Sequence, residues 1–246
     1  MEITNGSNST ATLQLSVHRS GWRIHGFKDD TDQRLLSATQ QVLKNAQYTC
    51  TYCGFRSVAD LESAPAPGAT ETNARCHGYL QVHPRHGDHL KWKLSELEPV
   101  CPFCHETLHC GAGLAQDSGT IVACPWIQQN DLCLLCNALA VASAEASDTA
   151  AIVDRLWIQL ERGQIPVQAG FGVQRLPCGL LASGLLTLRE KAPESYAQRA
   201  QGIGGLRYLP DRSVFAQAIA YWRTTAWRPA SDWQEVYQRW LRPAQG

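Results

Sequence analysis

Apolar and polar residues alternate in two short stretches near the start of the chain. Leu13 to Val17 reads Leu-Gln-Leu-Ser-Val, and residues 21–27 alternate again, with Arg19-Ser20-Gly21 between the two. A period of two is typical of a strand with one buried face, so the pattern predicts two strands joined as a hairpin. Residues 1–12 are rich in Asn, Ser and Thr and are predicted to form a disordered tail.

The period changes to that of a helix after Asp30, which can cap the helix with Gln33 at the capping-box position. One apolar face is then formed by Leu35, Leu36, Thr39, Val42, Leu43 and Ala46. This predicted helix runs into Tyr48 and Cys50. It would therefore carry the first cysteine pair on a rigid element.

Further helices are predicted from apolar spacing and capping residues, at about 127–144, 148–162, 213–224 and 231–241. Short strands are predicted at residues 78–83 and 120–126. The segment 163–212 has several Gly and Pro residues and is interpreted as loops with one short helix at about 179–190.

Composition suits a soluble globular protein: 246 residues, of which 44% are hydrophobic and 18% are charged. The net charge is zero, which removes the usual electrostatic argument for nucleic-acid binding, although Arg75, Arg85, Lys91 and Lys93 form a local basic group. The N-terminus has no apolar stretch typical of a secretory signal, and no run of about 18 apolar residues predicts a membrane span. We therefore expect a cytoplasmic protein whose ten cysteines are metal ligands or buried thiols rather than disulfides.

Two Cys-x-x-Cys pairs give the strongest chemical signal: Cys50 with Cys53, and Cys101 with Cys104. Two residues between cysteines allow both sulfurs of a tight turn to bind one ion, and two such turns supply the closed tetrahedral shell of a structural zinc site. Gly54 fits such a turn, and the segment after Cys101 should enter a helix. The sequence predicts one structural Zn²⁺. The alternatives are two unrelated pairs of buried thiols or a redox-active pair, for which no thioredoxin-like context is visible.

The stretch between the two pairs contains a Pro/Ala/Gly-rich segment at residues 56–75, which is predicted to be an inserted surface loop. We expect residues 13–144 to form the zinc-binding domain and residues 145–246 to form a helical part packed on it. Cys133 and Cys136 repeat the Cys-x-x-Cys spacing inside an apolar helix and are predicted to be core residues, as are Cys124 and Cys178. A second metal site built on Cys76, His77, His109 and Cys110 stays open.

The histidines within this stretch suggest a nuclease-like arrangement. Two Cys-x-x-Cys pairs flank a predicted strand that contains His83, and the second pair is followed directly by a histidine. This arrangement resembles the ββα-metal motif of HNH endonucleases. That resemblance implies an α+β fold with an HNH-like zinc-clip core and peripheral helices. In active members a histidine is the general base, and Asp, Asn and His residues bind the catalytic ion. Here Val82 precedes His83 and Glu96-Leu97 stands at the Asn-Leu position. A nuclease would therefore use His83, Glu96 and His105, with His109 as an alternative to His105 and with Asp88 or His86 as alternatives to Glu96.

A more specific resemblance is to the IcmJ (DotN) family of type IVB (Dot/Icm) secretion systems and related IncI-type conjugation machineries. The residues that carry it are Gly21-Trp22-Arg23-Ile24, Tyr48 to Phe55, Leu97 to Cys104, Gly119 to Val122 and Pro125 to Leu132. The resemblance implies an HNH-like zinc fold without nuclease activity, with zinc bound by Cys50, Cys53, Cys101 and Cys104. The inserted loop and His83 depart from the family pattern.

The family resemblance also implies partners and a location. It implies a cytoplasmic adaptor, peripheral to the inner membrane, which binds the C-terminal extension of the coupling ATPase and other coupling-complex subunits and helps to recruit substrates. Membrane contact would be made through these partners, and nucleic acid is not expected as a ligand. Docking candidates are the aromatic residues Tyr221, Trp222, Trp227, Trp233, Tyr237 and Trp240, although aromatic residues at helical spacing more often belong to a core. The alternative hypothesis is a metal-dependent DNA endonuclease in which His83 is the general base.

Overall fold

The computed structural model describes residues 12–18, 33–59, 75–111, 118–143, 148–174 and 176–226. Along these ranges the helices and strands are α1 (Gln33–Asn45), β1 (Gln81–Pro84), β2 (Leu97–Val100), α2 (Pro102–Leu108), β3 (Gly119–Ala123), α3 (Gln129–Ala142), α4 (Asp148–Glu161), α5 (Gln164–Phe171), α6 (Cys178–Lys191), α7 (Pro193–Ala197), α8 (Arg199–Ile203), β4 (Leu206–Pro210) and α9 (Ala216–Thr225). Helices and short sheets are mixed, so the predicted α+β class is confirmed. No helix in the described ranges is long and apolar enough to cross a bilayer.

The first predicted strand keeps its burial pattern but is not a strand. Leu13, Leu15 and Val17 are buried while the residues between them are more exposed, as the alternation predicts. The segment belongs to neither sheet, however, and its backbone N–H groups are bound largely by side chains. Leu13 N–H donates to Asn130 Oδ1, and Val17 N–H donates to the Tyr196 hydroxyl. Its predicted partner at 21–27 lies outside the described residues, as do Asp30, most of the inserted loop and the helix at 231–241.

A hairpin followed by a helix forms the centre of the fold. Strands β1 and β2 pair antiparallel, with His83 opposite Glu98, and a 3₁₀ turn at Leu94–Glu96 leads into β2. Directly after β2, Cys101 is the N-cap of α2 and Pro102 is its first residue. Proline suits that position because its fixed φ is that of a helix. Its lack of an N–H costs nothing there, since an N–H in the first turn has no acceptor within the helix. The helix predicted after Cys101 is confirmed.

The segment 163–212 differs most from the sequence prediction. The helix expected near 179–190 is present as α6, but interpreting the remainder as loops was wrong. This part also contains α5, two short helices and strand β4. Strand β4 pairs antiparallel with β3 in a separate two-stranded sheet, from Gly119 opposite Pro210 to Ala123 opposite Leu206. The pairing joins distant parts of the chain, and a local hydrophobic pattern contains no information about such a partner.

The second sheet separates two hydrophobic clusters. Successive residues of a strand point to opposite faces, and both strands of this sheet use both faces. Val122 and Leu209 lie in the cluster that surrounds the four cysteines, whereas Ile121 and Tyr208 lie in a second cluster with Leu15 and Val17. Helix α9 packs on the first of these clusters through Trp222 and Ile219. The division of the chain into residues 13–144 and 145–246 stays a prediction.

Replacing Gly111 with alanine is expected to destabilise the fold more than replacing Gly172. Both glycines have positive φ, at 73° and 64°, and an L-residue in this region costs about 1–2 kcal/mol. A Cβ on Gly111 would also lie 2.7 Å from both Cys178 Sγ and a ring carbon of Tyr208, whereas a Cβ on Gly172 meets nothing within 4 Å. Overpacking adds about 1–3 kcal/mol. Urea denaturation of the two variants measures the difference, and equal losses would contradict the close packing at Gly111.

Candidate metal centres

The first cysteine pair lies in a tight turn just beyond α1. Gln47 and Tyr48 adopt left-handed conformations directly after the helix ends. Cys50 N–H then donates to Phe55 O at 2.8 Å, and Gly54 N–H donates to Cys50 O at 3.0 Å. Gly54 has a φ of 73°, a conformation in which glycine is not strained. The turn predicted from Gly54 is therefore present.

The second pair lies at the junction between β2 and α2. Cys101 and Cys104 are three residues apart across the first turn of the helix, so both side chains are on the same face. The backbone N–H of Cys104 points at Cys101 Sγ at 3.5 Å. This arrangement places two sulfurs from a helix start opposite two sulfurs from a tight turn.

The structure brings the four predicted zinc ligands together, and we call Cys50, Cys53, Cys101 and Cys104 the cysteine cluster. All four are buried, and their sulfurs lie within 4.8 Å of one another. Cys53 Sγ and Cys101 Sγ are 3.7 Å apart, far longer than the ~2.0 Å of a disulfide. Zinc–sulfur bonds of about 2.3 Å in a tetrahedron put the sulfurs about 3.8 Å apart. The sulfur spacing therefore fits a closed tetrahedral zinc shell, and zinc would be held there by these four residues.

The protonation of the cluster also suits a metal ion. Burial raises the pKa values of the Cys53, Cys101 and Cys104 thiols. Burial acts in the same direction on Cys50, but hydrogen bonds from the other three cysteine side chains outweigh it and bring the pKa of Cys50 well below its usual value. Mutual hydrogen bonding among the four buried sulfurs therefore favours the thiolate form at Cys50, while burial favours the thiol form at the other three. A bound cation would release the remaining protons, because the thiolate is the ligand form.

Residues around the cysteine cluster fix its position. Asn137 Nδ2 donates to Cys101 Sγ at 3.7 Å from helix α3, and outer-shell donors of this kind orient metal ligands. Tyr52, within the first turn, donates its hydroxyl to Glu98 Oε2 on β2 at 3.1 Å. Glu98 also accepts from Arg85 Nε at 2.5 Å. Asn137 was not among the predicted site residues, although a polar residue in the middle of an apolar helix is a signal in the sequence.

A second group of potential ligands consists of His83, His89, His105 and His109, which we call the histidine cluster. Their ring nitrogens lie within 4.8 Å of one another. His83 comes from β1, His89 from the loop between β1 and β2, His105 from α2 and His109 from the C-cap of α2. Three of the side chains are buried and His89 is half-buried. The histidine cluster is thus built from the same hairpin and helix that carry Cys101 and Cys104.

The grouping of these four histidines was not predicted, although part of its signal is local in the sequence. His105-Glu106-Thr107-Leu108-His109 has the spacing His-Glu-x-x-His, in which two histidines four residues apart share a helix face. Cys76, His77 and Cys110 are buried but belong to neither group of potential ligands within the described residues. His109 lies with the other three histidines and not with Cys76, beside which the sequence suggested a possible second metal site.

The residues of the nuclease alternative are only partly brought together. His83 and His105 are neighbours in the histidine cluster, with ring centroids 5.2 Å apart. Glu96 is not part of that group. Its carboxylate accepts from Lys93 N–H at 3.1 Å and lies 3.4 Å from His86 Nε2.

The remaining candidates from the sequence are mostly core residues. Cys124, Cys133, Cys136 and Cys178 are buried thiols that form no disulfide, as predicted. Tyr221 and Trp222 are also buried, so these two aromatic residues do not offer a docking surface, and the other four lie outside the described residues.

Of the local basic group, Arg85 pairs with Glu98 and Lys93 pairs with Glu96.

Comparison with known proteins gives one informative match. No family model matches the chain. The sequence is, however, 24% identical over 224 residues to the type 4 apparatus protein DotN of Legionella pneumophila. The alignment covers 89% of this chain and 93% of DotN. The chain is thus similar to DotN over nearly its whole length, which supports the resemblance to the IcmJ (DotN) family.

Proposed function

We propose that this protein is a non-catalytic adaptor subunit of a type IVB secretion or conjugation apparatus. The observation that carries the proposal is the similarity to the type 4 apparatus protein DotN along nearly the full length of both chains. A match of that extent argues for the same kind of assembly rather than for one shared motif. The adaptor is cytoplasmic and reaches the inner membrane through its partners, which are the C-terminal extension of the coupling ATPase and other coupling-complex subunits.

The cysteine cluster supports a structural role for its metal ion. Four buried sulfurs fill a tetrahedral shell, and a catalytic zinc site needs an open position for water or substrate. The hydrophobic cluster around these cysteines includes residues from α1, β2, α2, α3 and α9. One zinc ion at this place would therefore join several parts of the fold. The arrangement also suits an HNH-like core, which here would stabilise the fold rather than catalyse a reaction. That core would consist of the hairpin, helix α2 and the two cysteine turns.

Binding to the coupling ATPase tests the proposal. The purified full-length chain, loaded with zinc, should form a complex with the C-terminal extension of the coupling ATPase from the same organism. Size-exclusion chromatography and calorimetry measure the complex. A folded, zinc-loaded protein that binds neither the extension nor the assembled coupling complex would overturn the proposal.

The second candidate function is an HNH-type endonuclease, which is favoured by the hairpin-then-helix arrangement with His83 on its first strand. A plasmid-nicking assay with magnesium or manganese separates the two functions. We expect no cleavage, since Glu96 does not join His83 and His105. Cleavage that is abolished by His83→Ala, in a variant that stays folded, would establish the nuclease and refute the purely non-catalytic adaptor.

A further inference from the structure

We propose that the histidine cluster is a second zinc site, in which the imidazoles of His83, His89, His105 and His109 form a closed tetrahedral shell. The folded chain then holds two zinc ions, one bound by four sulfurs and one by four nitrogens. The inference rests on the geometry and chemistry of these side chains. It does not depend on the proposed adaptor function.

The four imidazole rings are arranged as a tetrahedron. The six centroid–centroid distances are all similar, from 4.7 Å for His105 and His109 to 5.5 Å for His89 and His105. Four points in a square would give two diagonals about 1.4 times longer than the sides, a difference that these distances do not show. The arrangement therefore disfavours the square-planar ions, Cu²⁺ and Ni²⁺, and favours a tetrahedral ion such as Zn²⁺.

The size of the tetrahedron also fits zinc. With zinc–nitrogen bonds of about 2.05 Å, each ring centroid lies about 3.2 Å from the ion, which puts the centroids about 5.2 Å apart. The same bonds place the ligand nitrogens about 3.3 Å apart. Nε2 of His105 and Nε2 of His109 are 3.2 Å apart. Both the rings and this pair of nitrogens are therefore at the separations that one shared zinc ion requires.

A neighbouring amide fixes the protonation of one ligand. Nδ1 of His105 lies 2.5 Å from Gln81 Oε1. A carbonyl oxygen only accepts, so Nδ1 carries the proton and Nε2 presents its lone pair towards the cluster. A hydrogen bond from the non-ligating nitrogen of a histidine is the usual outer-shell support in zinc sites. Gln81 and His83 are two residues apart on β1, so both project from the same face of that strand.

The donor set defines both the class of metal ion and its role. Imidazole nitrogens suit zinc and other late transition metals, whereas magnesium and calcium require oxygen ligands, and the group contains no carboxylate. Glu106 of the His-Glu-x-x-His segment accepts from Ser118 Oγ at 2.7 Å and is not a member of the group. Four protein ligands leave no position for an activated water. The site is therefore structural, unlike the open zinc site of a metalloprotease.

Helix α2 connects the two metal sites. Cys104 and His105 are adjacent in sequence, and because neighbouring residues point in directions about 100° apart around a helix, they face different clusters. Cys101 and His109 stand at the two ends of the same helix. An ion in one cluster therefore holds the helix in the position that the other cluster needs, and each ion is expected to strengthen binding of the other.

Metal content and zinc X-ray absorption test the proposal on the tag-free, full-length wild-type protein. Elemental analysis should find two zinc ions per chain. The absorption spectrum should show sulfur and nitrogen shells of equal weight, at about 2.3 Å and about 2.0 Å. One zinc per chain with a sulfur shell alone, even after incubation with excess zinc and removal of the unbound ion, would overturn the second site.

Paired variants locate the second ion. His105→Ala/His109→Ala removes both helix ligands and should lower the zinc content from two to one, with a sulfur shell only. His18→Ala/His86→Ala removes two histidines outside the cluster and should keep two ions.

His89→Ala changes the half-buried ligand on the loop and should weaken one site by more than the ~10–100-fold that loss of an outer-shell partner costs. Full zinc affinity at both sites in His89→Ala would refute the four-histidine shell, even if the double variant fails to fold.

Discussion

Replacing Cys50 with serine is expected to give protein that is largely insoluble and holds no metal in the cysteine cluster. Zinc binding to such a site provides folding free energy on the order of 10 kcal/mol or more, and whole domains are stable by only about 5–15 kcal/mol. The four cysteines are buried within the first hydrophobic cluster. Without the ion, buried cysteine thiols at close range cannot substitute for metal–ligand bonds. The soluble fraction and its zinc content measure the effect.

The matched control is Cys136→Ala, which alters a cysteine in the same Cys-x-x-Cys spacing. Cys136 is completely buried in α3 but belongs to neither cluster. Its replacement should cost only the ~1 kcal/mol of a small lost hydrophobic contact and leave the zinc content unchanged. If Cys50→Ser/Cys101→Ser were soluble, folded and metal-free, the metal would be dispensable for the fold.

The cysteine cluster was predictable because its information is local. Each pair specifies its own turn: Gly54 allows the left-handed residue in the first, and Pro102 starts the helix in the second. Only the contact between the two turns joins distant parts of the sequence. That contact was predicted from the four sulfur ligands that a tetrahedral structural zinc site needs. Ligand number and geometry thus supplied the constraint that a hydrophobic pattern lacks.

The histidine cluster was not predicted because its four residues come from a strand, a loop and a helix. Only His105 and His109 have a spacing that indicates a shared face. His83 joins them because β1 pairs with β2, and β2 leads directly into α2. The position of His89 depends on the path of the loop, which has no repeating pattern. The same limitation explains β4, whose partner β3 lies far away in the sequence.

Trp222→Ala is expected to produce the second large effect, a loss of about 3–5 kcal/mol in the free energy of unfolding. Trp222 is fully buried on α9 and contacts both cysteine turns. Its ring lies 4.8 Å from that of Phe55, just after the first pair, and 6.1 Å from that of Phe103, within the second pair. Its Nε1 also donates to Gly78 O at 3.0 Å. Denaturation of the zinc-loaded protein measures the loss.

Trp126→Ala provides the comparison, because the side chain of Trp126 is 71% exposed and its loss should change stability by no more than about 0.5 kcal/mol. Since Trp222 packs on residues between and beside the four cysteines of the cluster, its variant should also release zinc to a chelator faster than the wild type, whereas Trp126→Ala should not. Equal stability of the two variants would mean that α9 is not packed on the cysteine cluster. If instead Trp222→Ala were destabilised but kept its zinc as firmly as the wild type, helix α9 would contribute to the core without supporting the metal site.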